Sequence, residues 1–99
     1  MSLIKIKPKT LGQITQDFEI AIQAELDADA VATGYDDIVS ACTYAGAVNP
    51  FQAEAQLYVA RRGNAWAYCY GELAKVQAGI RPMPTIAEII SELPPRVSA

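Results

Sequence analysis

The residue types that carry most enzymatic and metal chemistry are scarce in this chain of 99 residues. It has no histidine, which removes the commonest general base, the commonest metal ligand and the usual partner of a nucleophilic serine or cysteine. Two cysteines, Cys42 and Cys69, do not supply the four ligands of a structural zinc site. The six glycines are scattered, without the spacing of a phosphate-binding loop. We therefore expect no catalytic residue, no metal site, no cofactor and no enzymatic activity.

The densest group of ionisable side chains is acidic. Eight aspartates and glutamates, and no basic residue, lie between Lys9 and Arg61. Such a block is usually a solvated face, and the alternative is a docking surface for a basic partner. A metal site is disfavoured, because Asp27 and Asp29 do not share a helix face and no calcium-loop spacing follows. A pair of carboxylates could act as acid and base, but nothing marks two of them as sharing a pocket.

Charge and hydropathy exclude two classes of partner. The net charge of −3 gives no attraction to the phosphates of nucleic acid or to an anionic membrane. No segment approaches the ~20 apolar residues that span a bilayer, so we expect a soluble, unprocessed chain without membrane insertion. Cys42 and Cys69 both fall inside predicted helices, where a reduced thiol behaves as a small apolar side chain. We expect them to be free and the protein to be intracellular.

Helix signals divide the chain into an all-α domain and two short ends. The expected fold is a small bundle of three to four helices around one long central helix, preceded by an extended N-terminal arm. Thr10 and Thr85 each begin a capping box, and Gly34 and Gly79 are typical of helix ends. We expect an arm at residues 1–9, a domain at 10–94 with helices at about 11–33, 36–45, 50–78 and 86–93, and a tail at 95–99.

We expect the central helix to carry more apolar surface than the shorter helices can cover. Asn49 and Pro50 predict its start, with the Gln52 side chain bonding back to the Asn49 cap. Apolar residues then cover most of its circumference, which is typical of a helix covered on most sides. In so short a chain this predicts an intermolecular contact, and the pattern leaves open whether the aromatic residues of this helix belong to the core or to an interface.

The ends of the chain add two further candidate contacts. Residues 1–9 alternate as a strand does, so this arm is either a mobile terminus or a strand added to the sheet of a partner. The last helix is short and strongly apolar on one face, so it must dock on the central helix or in the groove of a partner. The residues expected to contact a partner are Leu3, Ile4, Ile6, Tyr58, Trp66, Tyr68, Tyr70, Ile86, Ile89 and Ile90.

Two arginines interrupt the central helix after the acidic block. Arg61 and Arg62 are expected to pair with Asp36, Asp37 or the acidic residues of the first helix, because a planar guanidinium suits a carboxylate. As exposed pairs they would contribute at most ~1 kcal/mol each.

Several short motifs resemble a C-terminal segment of small proteins encoded beside the tail-fibre and baseplate genes of tailed bacteriophages and prophages. The resemblance covers about residues 20–94 and excludes the arm. The matching runs are Gly34 to Ile38, Tyr44 to Gly46, Asn49 to Gln56, Arg62, Trp66, Val76 to Gly79, Arg81-Pro82, Pro84-Thr85 and Leu93-Pro94. Proteins of this kind are described as tail-associated, tail-fibre-assembly or chaperone-like, and the resemblance implies no catalytic residue.

The resemblance implies a phage tail-associated protein. The apolar faces of the central and last helices lead us to expect that it acts by docking on a tail-fibre or baseplate protein, with self-association as a further option. It is expected either as a small component of the virion tail or as an assembly chaperone in the cytoplasm of the infected bacterial host. The competing class is an acidic-surface regulator that binds a basic host protein through residues 17–37.

Overall fold

The structure is a computed structural model, which describes residues 9–95. Over that range the chain is all-α, as predicted, with four α-helices and no strand. The helices are α1 (Leu11–Ala32), α2 (Ile38–Cys42), α3 (Gln52–Gln77) and α4 (Ile86–Glu92), and a short 3-10 segment, Thr43–Gly46, follows α2. The 26 residues of α3 form the long central helix.

Two helices begin at the predicted capping boxes. The Thr10 hydroxyl accepts from the Gln13 N–H at 3.1 Å, and the Gln13 side chain accepts from the Thr10 N–H at 2.8 Å. Thr85 and Glu88 form the same reciprocal pair at the start of α4, at 3.1 and 2.9 Å. Each box satisfies backbone donors that the first turn of a helix leaves unpaired, so these starts are fixed locally.

The ends of α1 and α3 depend on glycine. Gly34 has a φ of 101° and Gly79 a φ of 74°, values that L side chains rarely adopt. In both turns the N–H of the next residue donates to the carbonyl five residues before it, at 3.1 Å after Gly34 and 2.9 Å after Gly79. This is the hydrogen-bond pattern of a Schellman motif, so the two predicted helix stops are confirmed.

The start of the central helix lies two residues later than predicted. The predicted bond from the Gln52 side chain to Asn49 is wrong, and Gln52 bonds to Asn49 only through its backbone N–H, which donates to the Asn49 carbonyl at 3.2 Å. The Asn49 side chain instead organises the loop before the helix. Its oxygen accepts from the Phe51 N–H at 2.8 Å, and its amide donates to two carbonyls of the preceding loop. The Gln52 amide donates to the Ala45 carbonyl at 3.2 Å. These bonds tie α3 to the 3-10 segment.

The second helix is shorter than the predicted 36–45 because two carboxylates define its start. Asp37 is extended, and its carboxylate accepts from the Ser40 N–H at 2.6 Å. Asp27 of α1 accepts from the Ile38 N–H at 3.1 Å, which binds α2 to α1. After Cys42 the chain tightens into the 3-10 segment.

The core forms where α1 meets the other three helices. Core residues of α1 recur every four positions, and α3 offers small residues that let its neighbours approach closely. Docking of α4 occurs mainly on α1, whereas the sequence pointed to the central helix or a partner. Cys42 and Cys69 are free thiols, as expected. The core consists of Phe18, Ile22, Leu26, Ala30, Ile38, Ala41, Tyr58, Ala65, Cys69, Leu73, Ile89 and Leu93.

Arg61 is buried, which corrects the prediction of an exposed ion pair. Only 8% of the residue is exposed. Its guanidinium donates to the Pro94 carbonyl, just after α4, and its Nε atom lies 3.5 Å from the Asp29 carboxylate of α1 without forming a hydrogen bond. The side chain therefore joins three parts of the fold.

None of the four helices within residues 9–95 is long and apolar enough to cross a membrane.

Replacement of Arg61 by alanine removes this buried cation together with its carbonyl bond and its packing. We expect the free energy of unfolding to fall by about 2–3 kcal/mol, less than for a fully buried pair because water still reaches Asp29. Arg62→Ala is the matched control, since Arg62 is exposed, and should change stability by no more than about 0.5 kcal/mol. Urea unfolding measures both, and equal losses would contradict a specific role for Arg61.

Candidate functional site

An open groove of about 560 Å³ runs along the surface between α1 and α3. The α1 side of this groove is one helix face, because its residues recur at three- and four-residue spacing beside the core-facing row. Ile20, at the centre of that face, is 62% exposed. The lining residues are Gln16, Glu19, Ile20, Gln23, Ala24, Asp27 and Trp66. An exposed isoleucine beside a tryptophan, flanked by carboxylates, suits an apolar side chain of a partner.

The α3 side of the groove is formed by Trp66, on which the ring of Tyr70 stacks. Trp66 and Tyr70 lie four positions apart on α3, so one lies above the other. Their ring centroids are 5.9 Å apart with an interplanar angle of 24°. Trp66 is half-buried against the core, and the exposed Tyr70 donates its hydroxyl hydrogen bond to Glu19 of α1. The rings are therefore fixed before any partner arrives.

The bond between Tyr70 and Glu19 changes the titration of the phenol. The carboxylate accepts the phenolic proton in a hydrogen bond that exists only while the tyrosine is protonated. This bond is the main cause, and partial burial a smaller one, of a Tyr70 pKa above its ordinary value of 10.0.

Of the predicted contact residues in the described part of the chain, Trp66 lines this groove and Tyr70 stacks on it. The prediction that Tyr58 and Ile89 contact a partner is wrong. Both side chains are buried in the core, and neither offers a surface to a partner. Tyr58 uses its hydroxyl inside the fold, donating to the Asp29 carbonyl at 3.0 Å.

The remaining predicted contact residues lie elsewhere. Ile86 is partly exposed on α4, and Ile90 of the same helix packs against the core. Leu3, Ile4 and Ile6 lie outside the described residues.

Tyr68 belongs to a polar cluster that holds the segment before α4. Its hydroxyl donates to Glu92 at 2.7 Å, and Arg81 donates to both oxygens of the same carboxylate at 2.9 and 2.8 Å. Arg81 also contacts Glu72 at 2.6 Å, and Lys75 lies 2.9 Å from that carboxylate. Hydrogen bonds, chiefly the one from Lys75, lower the pKa of Glu72. The pKa of Glu92 is lowered chiefly by the hydrogen bonds from Arg81. Tyr68 therefore has a structural role.

Ile20 is the groove residue that sequence reasoning missed. It lies two positions before the buried Ile22, off the core-facing row of α1, and this offset was visible in the periodicity.

Within residues 9–95, no group of three or more cysteine or acidic side chains is placed to hold a metal ion.

Comparison of the chain with protein-family models, with curated proteins and with solved structures gives no match. The groove is therefore interpreted from its own residues.

The Tyr70 bond predicts a pH dependence. The bond to Glu19 stabilises the folded state fully below pH 10, where Tyr70 is protonated in both the folded and the unfolded chain. This stabilisation is lost as the pH rises through the higher pKa that Tyr70 has in the folded state. The Tyr70 titration can be isolated by subtracting the absorbance titration curve of Tyr70→Phe from that of the wild type, and its midpoint should lie above pH 10. In the Glu19→Gln background the same difference should have a midpoint closer to pH 10.

Glu25→Gln is the matched control for the Glu19 change. It removes the same charge from α1 at an exposed position and should leave the Tyr70 midpoint in place. A Tyr70 midpoint at 10 in the wild type would show that the bond to Glu19 does not form in solution.

Proposed function

We propose that the chain is a non-enzymatic, phage tail-associated protein that docks on a tail-fibre or baseplate protein through the groove between α1 and α3. Two independent lines support this proposal. The motifs over residues 20–94 resemble tail-associated proteins, and the groove offers the apolar surface that a docking protein needs. The resemblance supports the setting, and the groove supports the mode of action.

The observation that carries the docking mechanism is the ordered aromatic pair beside an exposed isoleucine. Trp66 and Tyr70 are already stacked and tied to Glu19, so binding would lose little side-chain entropy. Tryptophan and tyrosine are also the residues that most often dominate interface energetics. A partner side chain that covers Ile20 would remove apolar surface from water at the same time.

Apolar docking is better supported than binding through the acidic block. Several of those carboxylates already take part in contacts within the fold: Glu19 with Tyr70, Asp27 with the start of α2, and Asp29 with Arg61. A basic host protein that bound through residues 17–37 would have to share these three carboxylates with Tyr70, Ile38 and Arg61.

Groove docking predicts a selective effect of Ile20→Ser. The serine should weaken binding to the fibre or baseplate protein of the same phage by about tenfold, because the partner loses one buried aliphatic side chain. Ile80→Ser is the matched control, since Ile80 is 75% exposed, lies beyond α3 and does not line the groove. Both variants should keep the free energy of unfolding within about 0.5 kcal/mol of wild type.

The chain's single tryptophan makes the binding measurable. Trp66 lines the groove, so a docked partner should shift its emission to shorter wavelengths, and titration gives the affinity. The affinity should depend weakly on salt, whereas docking through the acidic block would weaken steeply with ionic strength. Equal weakening by Ile20→Ser and Ile80→Ser, or a steep salt dependence, would contradict groove docking.

A stable virion component and a transient assembly chaperone differ in where the chain ends up. Mass spectrometry of purified particles should detect the chain at a stoichiometry near that of the fibres if it is retained in the virion. Absence from particles, with binding to the fibre protein preserved, would assign it to assembly. Association only with itself, measured as the mass of the isolated protein in solution, would contradict the proposed partner.

A further inference from the structure

A second concave site lies where the end of α1 meets the start of α3. It encloses about 240 Å³ and shares no lining residue with the groove. Three of its six lining residues are aromatic and one is acidic. The lining residues are Thr33, Gly34, Tyr35, Tyr44, Phe51 and Glu54.

The aromatic wall is a chain of rings in mutual contact. Tyr44 lies 5.4 Å from Phe51 and 5.8 Å from Tyr35, measured between ring centroids. Tyr35 in turn meets the buried Tyr58 edge to face at 5.9 Å. The inner end of this chain is thus anchored in the core, while Phe51 at the outer end is 51% exposed. The rings form a fixed wall with accessible faces.

The backbone that carries these rings is also fixed. Tyr35 follows Gly34 in the turn that ends α1, and Tyr44 lies in the 3-10 segment. The Asn49 amide donates to the Tyr44 carbonyl at 2.9 Å, and its oxygen accepts from the Phe51 N–H. One asparagine therefore holds the two ring-bearing segments together.

The acidic group of the pocket is held against this wall. Glu54, in the first turn of α3, accepts a hydrogen bond from the Tyr35 hydroxyl at 2.8 Å. This bond, with partial burial and the charge of Glu54 adding to it, raises the pKa of Tyr35 to about 12. The carboxylate and the rings therefore belong to one preorganised structure.

The surrounding charge favours a cation. All residues that line the pocket lie between residues 10 and 60, where the chain carries eight acidic and no basic residues, so this stretch favours a cation over an anion. Aromatic faces attract organic cations through the negative charge of their π systems, and a nearby carboxylate adds direct attraction. An anion would be repelled by the same groups.

We propose that this pocket binds the cationic head of an arginine or lysine side chain presented by a partner protein. The rings would pack on the aliphatic stem and the charged head would lie near Glu54, as amphipathic basic side chains prefer. The inference goes beyond the proposed function, because it concerns a different surface and does not require that the partner be a tail protein.

The pocket can be tested on the intact chain with small probes. NMR titration with Nα-acetyl-arginine amide and Nα-acetyl-lysine amide should shift the ring resonances of Tyr35, Tyr44 and Phe51, with dissociation constants of about 1–10 mM. Nα-acetyl-citrulline amide, the uncharged analogue of the arginine probe, should bind at least about fivefold more weakly. The indole resonances of Trp66, in the separate groove, should not move.

Variants locate the binding to the pocket. Phe51→Leu keeps the apolar volume but removes the ring, and Glu54→Gln removes the charge while leaving an oxygen for Tyr35; each should weaken the arginine probe about threefold to tenfold. Glu25→Gln changes net charge equally outside the pocket and should weaken the arginine probe less than about twofold. Phe51 is half-exposed, so Phe51→Leu remains informative if Glu54→Gln perturbs the fold.

Four results would overturn the proposal. Equal affinity for the arginine and citrulline probes would remove the role of charge. Equal weakening by Glu25→Gln and Glu54→Gln would indicate a general effect of net charge. Tetramethylammonium binding at least about tenfold tighter than both side-chain probes would assign the pocket to a free small cation. Absence of ring shifts up to about 100 mM probe would show that no such site exists. Ile20→Ser should not affect any of these titrations, so this test is independent of groove docking.

Discussion

Three buried polar side chains of α3 determine how the other helices pack around it. A buried hydroxyl, guanidinium or carboxylate destabilises a fold by about 1–3 kcal/mol or more unless it finds a partner. Tyr58 finds its partner at Asp29 of α1, where the phenol donates to the backbone carbonyl at 3.0 Å. Arg61 donates to the Pro94 carbonyl after α4, and its Nε atom lies 3.5 Å from the Asp29 carboxylate. Glu72 accepts from Arg81 at 2.6 Å, in the segment that leads to α4. The apolar core then fills the space between helices whose relative positions these polar contacts specify.

This arrangement explains which parts of the fold could be predicted from the sequence. The helix starts at Thr10 and Thr85 and the ends at Gly34 and Gly79 depend on hydrogen bonds within a few residues, so local patterns were sufficient. An acidic partner for Arg61 in the first helix was among those predicted, and Asp29 of α1 lies 3.5 Å from its guanidinium. The burial of Arg61 was not predicted, because it depends on a carbonyl 33 residues later that no local pattern shows. For the same reason α4 was predicted as a helix with an apolar face, but its packing against α1 was not.

The candidate groove was predictable only in part, because hydrophobicity does not tell which side of an apolar helix remains exposed. Trp66 and Tyr58 look alike in the sequence as aromatic residues of α3. The first borders the open groove, whereas the second lies under the turn at the end of α1. Ile20 and Ile22 differ in the same way on α1: one turns toward solvent and the other fills the core. The prediction that α3 carries more apolar surface than its neighbours cover therefore needs a spatial correction, since part of the exposed apolar surface lies on α1.

The acidic block and the apolar surfaces, which the sequence presented as separate candidates for binding, are combined in the structure. Glu19 fixes Tyr70 at the groove, and Glu54 fixes Tyr35 at the aromatic pocket. In each case a carboxylate orders an aromatic ring through its hydroxyl and also places negative charge beside an apolar surface. A partner matched to the aromatic pocket would present a basic side chain, whereas a partner matched to the groove would present an apolar side chain. An acidic group of the partner would be disfavoured at both sites, because it would meet like charge. Specificity at these two surfaces would then come from the carboxylates, while most of the binding free energy would come from the rings and Ile20.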